Sequence, residues 1–209
     1  MVRFCVNILN PMEKHLKYEL AVERYSRLIA LNNKDFRAYN NRGIAYERLG
    51  RLEDALSDFN RAIEINPSFD AAHTNRGNVF LELRDYGSAL RDFSKAIEIN
   101  PSNGMAYNNR GFCYLLMGNY DKAMTDIQRA LEINRDNIFA LNSMAELYAV
   151  KGEPEKACCW LDKAISKGYN NWAYLRSSKT YDKIRDSECF RDILRRVDKK
   201  GPIKRGPLR

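Results

Sequence analysis

The sequence predicts an all-α protein: a solenoid of helix–turn–helix repeats closed at its C-terminal end by a capping helix. Three observations carry this. The triplet Asn41-Arg42-Gly43 returns as Asn75-Arg76-Gly77 and as Asn109-Arg110-Gly111, so the glycines recur every 34 residues. Each triplet sits in a run with apolar residues at helical spacing, and a second such run follows after a tight turn. Glycine or proline then ends these runs at recurring offsets. A fixed period of this length belongs to repeat architectures, in which each unit buries its apolar face only against its neighbours.

The elements follow in order. Residues 12–31 read as a helix that begins after Pro11, a residue suited to a helix start. Leu16, Leu20, Leu28 and Leu31, with Ala21 and Tyr25, are its expected apolar stripe. Before it Val2, Phe4, Val6 and Ile8 alternate, a strand-like period with no sheet nearby; a decayed helix fits the stretch equally. No small-residue cleavage site follows, so the stretch reads poorly as a secretory signal.

From Phe36 the register is regular. Repeats are expected over 36–69, 70–103, 104–137 and 138–171, after an N-terminal segment with a degenerate half repeat (1–35). Tyr39, Arg42, Gly43 and Tyr46 share a face of the first helix; Ala55, Phe59, Ala62 and Ile63 share one of the second. A glycine inside a helix costs about 0.5–1 kcal/mol against alanine, so Gly43, Gly77 and Gly111 need a packing reason. Close approach of the two helices supplies it, with Ala55, Ala89, Ala123 and Ala157 expected opposite and Ala145 replacing glycine in the fourth repeat. Gly50, Gly118 and Gly152 stand where the first helix should end in a left-handed residue, a place held by Arg84 in the second repeat. Pro67 and Pro101 close the second helices, and Arg135 and Tyr169 replace them later.

Capping helices are expected over 172–198. Trp172, Tyr174 and Leu175 point to a short one, and Ser187 caps a last one that carries Phe190, Ile193, Leu194 and Val197. Gly201, Pro202, Gly206 and Pro207 among basic residues mark a flexible tail over 199–209.

This combination resembles the tetratricopeptide repeat family. The pattern has a bulky fourth position, glycine at eight, Tyr or Phe at eleven, alanine at twenty, Phe at twenty-four, alanine at twenty-seven and proline at thirty-two. Repeats one and two meet it almost completely, repeat three has Ile127 and Arg135 instead, and repeat four departs further with Leu141, Ala145 and Leu161. The resemblance covers roughly 12–171. It implies a right-handed superhelix of helix pairs whose first helices line a concave groove, and a non-enzymatic role as an interaction module or scaffold.

One departure is internally informative. Arg42, Arg76 and Arg110 lie on the core-facing stripe where the family usually has leucine, and Asp58, Asp92 and Asp126 follow each by 16 residues. An unpaired buried guanidinium is very costly, so pairing within the repeat is expected. In repeat four both members change together, to Met144 and Trp160. The rival reading is a row of arginines gripping acidic ligands.

The groove the resemblance implies places Asn40, Thr74, Asn108 and Asn142 at position five and Asn41, Asn75, Asn109 and Ser143 at position six. A carboxamide both donates and accepts, which suits the amides of an extended peptide or unstructured segment; the same asparagines can instead support neighbouring helices. Position nine varies as Ile44, Asn78, Phe112 and Glu146, and position two as Arg37, Ala71, Met105 and Phe139. Met105, Phe112, Leu115 and Phe139 are expected as exposed apolar specificity pockets. Relatives that clamp the carboxylate of chaperone tails use Lys and Arg where this chain has Asn40, Asn75, Met105 and Asn109, so that clamp is absent.

Other chemistry is not indicated. No phosphate-binding loop, nucleophile elbow or metal motif occurs, two histidines are too few for a zinc site, and no cofactor is expected. His73 occupies an aromatic slot and is expected to pack. Five cysteines with no Cys-x-x-Cys spacing read as reduced, packed thiols of a cytoplasmic protein. The net charge of +8 is concentrated over 195–209, which carries seven basic residues and Asp198. Such a tail gives at most non-specific attraction to acidic partners, so no specific nucleic-acid partner and no membrane span are expected. The expected partner is a protein or peptide. The alternative is a self-associating assembly protein that uses its terminal or convex surfaces, with a homo-oligomer formed through the N-terminal end.

Overall fold

The computed structural model describes residues 11–200, with side chains over 12–198. The alternating stretch at 2–8, Cys5 and nearly all of the expected flexible tail lie outside the described residues. Among those described there is no strand. Helix α1 (Pro11–Leu31) precedes the pairs α2 (Phe36–Arg48) with α3 (Leu52–Ile65) and α4 (Asp70–Glu82) with α5 (Tyr86–Ile99). Then come α6 (Gly104–Leu116), α7 (Tyr120–Ile133) and the pair α8 (Ile138–Val150) with α9 (Pro154–Ser166). Helix α10 (Trp172–Ser177), a 3-10 segment (Lys179–Ile184) and α11 (Glu188–Lys200) complete the chain. Two compact units result, one ending at Ala106 and the other beginning at Tyr107.

Helix ends are set locally. Asp35 accepts from the Ala38 amide, Asp85 from Ser88, and Asn137 from Phe139 and Ala140, each satisfying donors the first turn leaves open. Gly50, Gly118 and Gly152 have φ of 74°, 78° and 75°, and Arg84 takes the same turn at 61°. No other non-glycine among the described residues has positive φ.

In the first unit, Ala55, Phe59 and Val79 form a dry centre flanked by Ile44, Tyr46, Leu52 and Leu56. The helical glycines are required; at Gly111 the expected Ala123 is one of the residues a Cβ would meet, 3.2 Å from its carbonyl oxygen, but the nearest atoms belong to other side chains. A Cβ on Gly43 or Gly77 would lie 2.7 Å from the ring of Phe59 or Phe93, and one on Gly111 would lie 2.8 Å from Ile127. Ala55 and Ala89 are fully buried, yet it is the side chain four residues later that fills the space the missing Cβ leaves.

Helix α1 also departs from its expected stripe. Leu16, Leu20, Leu28 and Leu31 are exposed, whereas Tyr18, Ala21, Val22, Tyr25 and Ile29 form its half-buried side. The sequence offers two apolar faces on this helix, and α2 covers the one built on Ala21 and Tyr25.

In the second unit the core continues from α8 and α9 into the C-terminal helices. Leu175, Tyr181, Ile184, Phe190 and Ile193 are buried together, with the Tyr181 and Phe190 rings stacked at 5.2 Å. Ser187 Oγ accepts from the Phe190 amide at the start of α11. A disulfide joins Cys158 on α9 to Cys189 on α11, with Cα atoms 6.2 Å apart. This corrects the reading of these two as reduced thiols: 31 residues separate them, and only the return of α11 onto α9 brings them together. Cys113 is buried, where burial pushes its thiol up to about 12. Cys159 is exposed, so it is not packed as expected.

Candidate functional site

The arginine–aspartate pairs form inside each of the first three repeats. Arg42 donates to both oxygens of Asp58 at 2.7 and 2.8 Å, Arg76 to Asp92 at 2.8 and 2.6 Å, and Arg110 to Asp126 at 2.7 and 2.8 Å. Such forked pairing uses the planar geometry of both groups. A third nitrogen reaches back one repeat: Arg42 Nη1 donates to Ser26 Oγ and Arg76 Nη1 to Asn60 Oδ1. Tyr39 and Tyr107 lie under the Arg42 and Arg110 guanidinium groups at 5.6 and 5.7 Å. In repeat two His73 takes that slot, with Nδ1 3.4 Å from Asp92 Oδ1 and Nε2 3.2 Å from the Pro67 carbonyl. Burial pushes the Asp92 carboxyl up, but Arg76 and His73 outweigh it and hold it below the usual range. These arginines are held by the fold.

The candidate asparagines divide between the two units. In the first, Asn40 Nδ2 donates to Asn41 Oδ1 at 3.4 Å and Asn75 Nδ2 donates to Asn40 Oδ1 at 2.9 Å. The carboxamides of consecutive repeats are therefore joined to one another. Asn78 is half-buried and Met105 is 56% exposed, both in this unit.

In the second unit, α6, α8 and α10 bound a recess of about 300 Å³. Six candidates line it: Asn108, Asn109, Phe112, Phe139, Asn142 and Glu146. Ile138 and Ser143 complete the repeat side. Leu115, expected as part of an apolar pocket, is buried in the core beneath. The remaining wall is Tyr169, Asn170, Asn171 and Tyr174, none of which sequence reasoning named as a site residue. Tyr174 lies beyond the last repeat, and Tyr169, Asn170 and Asn171 stand at the end of the fourth, where the pattern has already departed from the first two, so positional comparison did not single them out. Phe139, 64% exposed, stands at the edge.

The polar groups of the recess are unevenly satisfied. Asn142 Oδ1 accepts from Tyr181 Oη at 2.9 Å. Asn108 Nδ2 donates to Asn109 Oδ1 at 3.0 Å, but Asn108 Oδ1 is buried without a hydrogen bond. The register explains this. Asn40 Oδ1 takes its donor from Asn75, 35 residues on, whereas the residue 35 beyond Asn108 is Ser143, whose shorter side chain makes no such bond. An unsatisfied buried acceptor costs about 1–3 kcal/mol, so it marks a place where a ligand donor is worth having.

Glu146 is fully buried on α8. Its Oε1 accepts from the Tyr174 hydroxyl and, at 2.9 Å, from Thr180 Oγ1. Burial raises the carboxyl to about 7, a shift those two donors moderate. The Tyr174 and Tyr169 hydroxyls are in turn pushed up by burial and by Glu146. Among the described residues no group of His, Cys, Asp and Glu is arranged to hold a metal, and no helix is long and apolar enough to cross a membrane.

The family model described as tetratricopeptide repeat matches residues 36–69, 71–103 and 105–137, and a second, described as TPR repeat, matches 17–50. Together they span more than half of the chain. No curated protein sequence matches it. Among solved structures, a thermophilic TPR protein of Thermus thermophilus, TTC0263, is 22% identical, with 78% of this chain and 90% of that one aligned at a TM-score of 0.68. YrrB, described as a TPR protein with an unusual peptide-binding site, is 22% identical over 88% and 95% of the two chains at 0.60. The first TPR domain of Spaghetti (RPAP3), bound to the HSP90 peptide SRMEEVD, is 23% identical over 54% and 89% at 0.52. At these identities the likeness is one of fold.

Proposed function

Because the chain belongs to the tetratricopeptide repeat family, we propose that it is a non-enzymatic protein-interaction module that holds an extended peptide or unstructured segment, with the recess of the second unit as its anchoring place. The observation that carries this is the recess itself. It is concave, walled by Phe112 and Phe139, and floored by an acceptor that the fold leaves unsatisfied. Apolar walls with a few convergent polar groups are the usual make-up of a ligand site. Solved structures of the same fold include a peptide complex, which supports the reading by analogy of architecture. A displayed random-peptide library selected on the wild type, and counter-selected on a Phe112→Ser/Phe139→Ser variant, tests it. Peptides enriched only on the wild type are expected; enrichment that ignores the double variant would move the site elsewhere.

A second reading has its own observation. Met12, Leu16, Leu20 and Leu31 leave α1 with an exposed apolar face, a surface suited to self-association. Sedimentation velocity over a wide concentration range decides: a monomer throughout removes this reading, and a dimer abolished by Leu16→Ser/Leu20→Ser supports it.

A further inference from the structure

The recess has a chemical preference that follows from what its walls lack. Among the described residues no lysine, arginine or histidine lines it, and Glu146 is the only carboxyl that does. Both hydrogen bonds to Glu146 end on Oε1, which leaves Oε2 without a protein partner. Asn108, 5% exposed, contributes a second idle acceptor in its Oδ1. Two acceptors on α6 and α8, Asn108 Oδ1 and Glu146 Oε2, are therefore open, and they lie in the same recess as the aromatic walls Phe112 and Phe139.

We propose that the recess is a subsite for a basic side chain, a lysine or arginine of the bound peptide, with its aliphatic stem along Phe112 and Phe139 and its charged head on Glu146 and Asn108. An ammonium or guanidinium group brings several donors, enough to fill both acceptors, and supplies the charge that a desolvated carboxylate needs. A serine hydroxyl satisfies a single acceptor, and neither it nor a carboxamide gives Glu146 a counter-charge. An acidic side chain adds a like charge beside Glu146. The groups facing Glu146 agree: Tyr174 and Thr180 donate to it, Tyr169 and Tyr181 are neutral phenols nearby, and none is a cation that would compete. The long methylene stem suits aromatic walls because basic side chains bury their stems while the head finds polar partners.

The inference rests on the peptide-binding reading, and the experiment separates the two. Peptides enriched on the wild-type protein are resynthesised with acetylated N-termini, so that any cation recognised is a side chain. The strongest basic position in each is replaced by norleucine or acetyl-lysine, and affinities are measured by fluorescence anisotropy. Losing the cation is expected to weaken binding about tenfold or more on the wild type, the scale of a charged hydrogen bond. On Glu146→Gln, which keeps the shape and an acceptor for Tyr174, the same replacement should matter less than about threefold. Peptides that depend on Phe139 yet tolerate norleucine everywhere would overturn the basic subsite and leave peptide binding standing. Equal cation dependence on wild type and Glu146→Gln would overturn it too, and failure to enrich any peptide would overturn both. The ligand-side replacements need no variant of the protein, so a folding defect cannot mimic the result.

Discussion

Asn40 and Asn108 occupy the same position of two repeats, and their surroundings are opposite. The first has its carbonyl oxygen taken by Asn75; the second has the same oxygen buried and idle, because Ser143 stands where a fourth asparagine of position six would be. The same contrast holds for the charged groups. Asp92 is matched by Arg76 and His73, whereas Glu146 is buried among phenols and a hydroxyl with no cation. The same residue type at the same position, asparagine at position five, thus serves architecture in one unit and is left available in the other. What separates them is whether the next residue in the array returns the bond.

The contrast is most severely tested by removing a satisfied charge. Asp92→Ala strands Arg76 and leaves His73 without its acceptor, and should cost about 3–5 kcal/mol in urea denaturation. A loss under about 1 kcal/mol would mean that the ionic pairs do not carry the first unit. Next in size, replacing Cys158 and Cys189 together by alanine should cost roughly 2–4 kcal/mol, since the bridge closes a 31-residue separation. An unchanged midpoint, with or without reductant, would show that the second unit holds α11 without it.

Glu146 gives a pH signature that Asp92 does not share. Its carboxyl is raised from 4.5 to about 7, so the unfolded chain ionises while the folded protein still holds the proton. Stability from this residue is therefore full below about 4.5, falls as pH rises, and levels off above about 7, a total of roughly 3 kcal/mol. Thermal melts of Glu146→Gln should lack this part of the slope; parallel wild-type and variant profiles would contradict it. The smallest effect is the most pointed. Ser143→Asn supplies Asn108 with the donor that Asn75 gives Asn40, and should stabilise by about 1 kcal/mol while weakening recess ligands. Unaltered stability and unaltered ligand affinity would break the account of the idle oxygen.

Much of the fold was legible because a solenoid repeats its instructions. The 34-residue period exposed the helix pairs and the arginine–aspartate spacing, and even the substitution of both partners at Met144 and Trp160. Features with no second copy to compare were not legible. The recess wall from Tyr169 to Tyr174 and the Cys158–Cys189 bridge depend on a C-terminal segment that folds back, and no period announces that. Helix α1 failed for another reason: two apolar faces compete on it, and hydrophobic spacing alone does not say which one α2 covers. Burial was the hardest quantity to read for the asparagines, since a polar side chain looks alike in sequence whether it faces a ligand or another carboxamide.

The backward reach of the arginines has a consequence for how such an array can grow. Arg42 and Arg76 each engage a polar side chain 16 residues earlier as well as an aspartate 16 residues later. A duplicated copy of residues 70–103 inserted directly behind the original would set its arginine 16 residues after Ser94 and carry its own aspartate. The same copy placed after residue 171 would set its arginine 16 residues after Asp162, an acceptor that Arg196 of α11 already holds at 2.6 Å. Lengthening inside the block offers each arginine an acceptor of the same kind, whereas lengthening at its end meets one that the cap already holds. The last helix thus offers Asp162 the arginine that a further repeat would have brought.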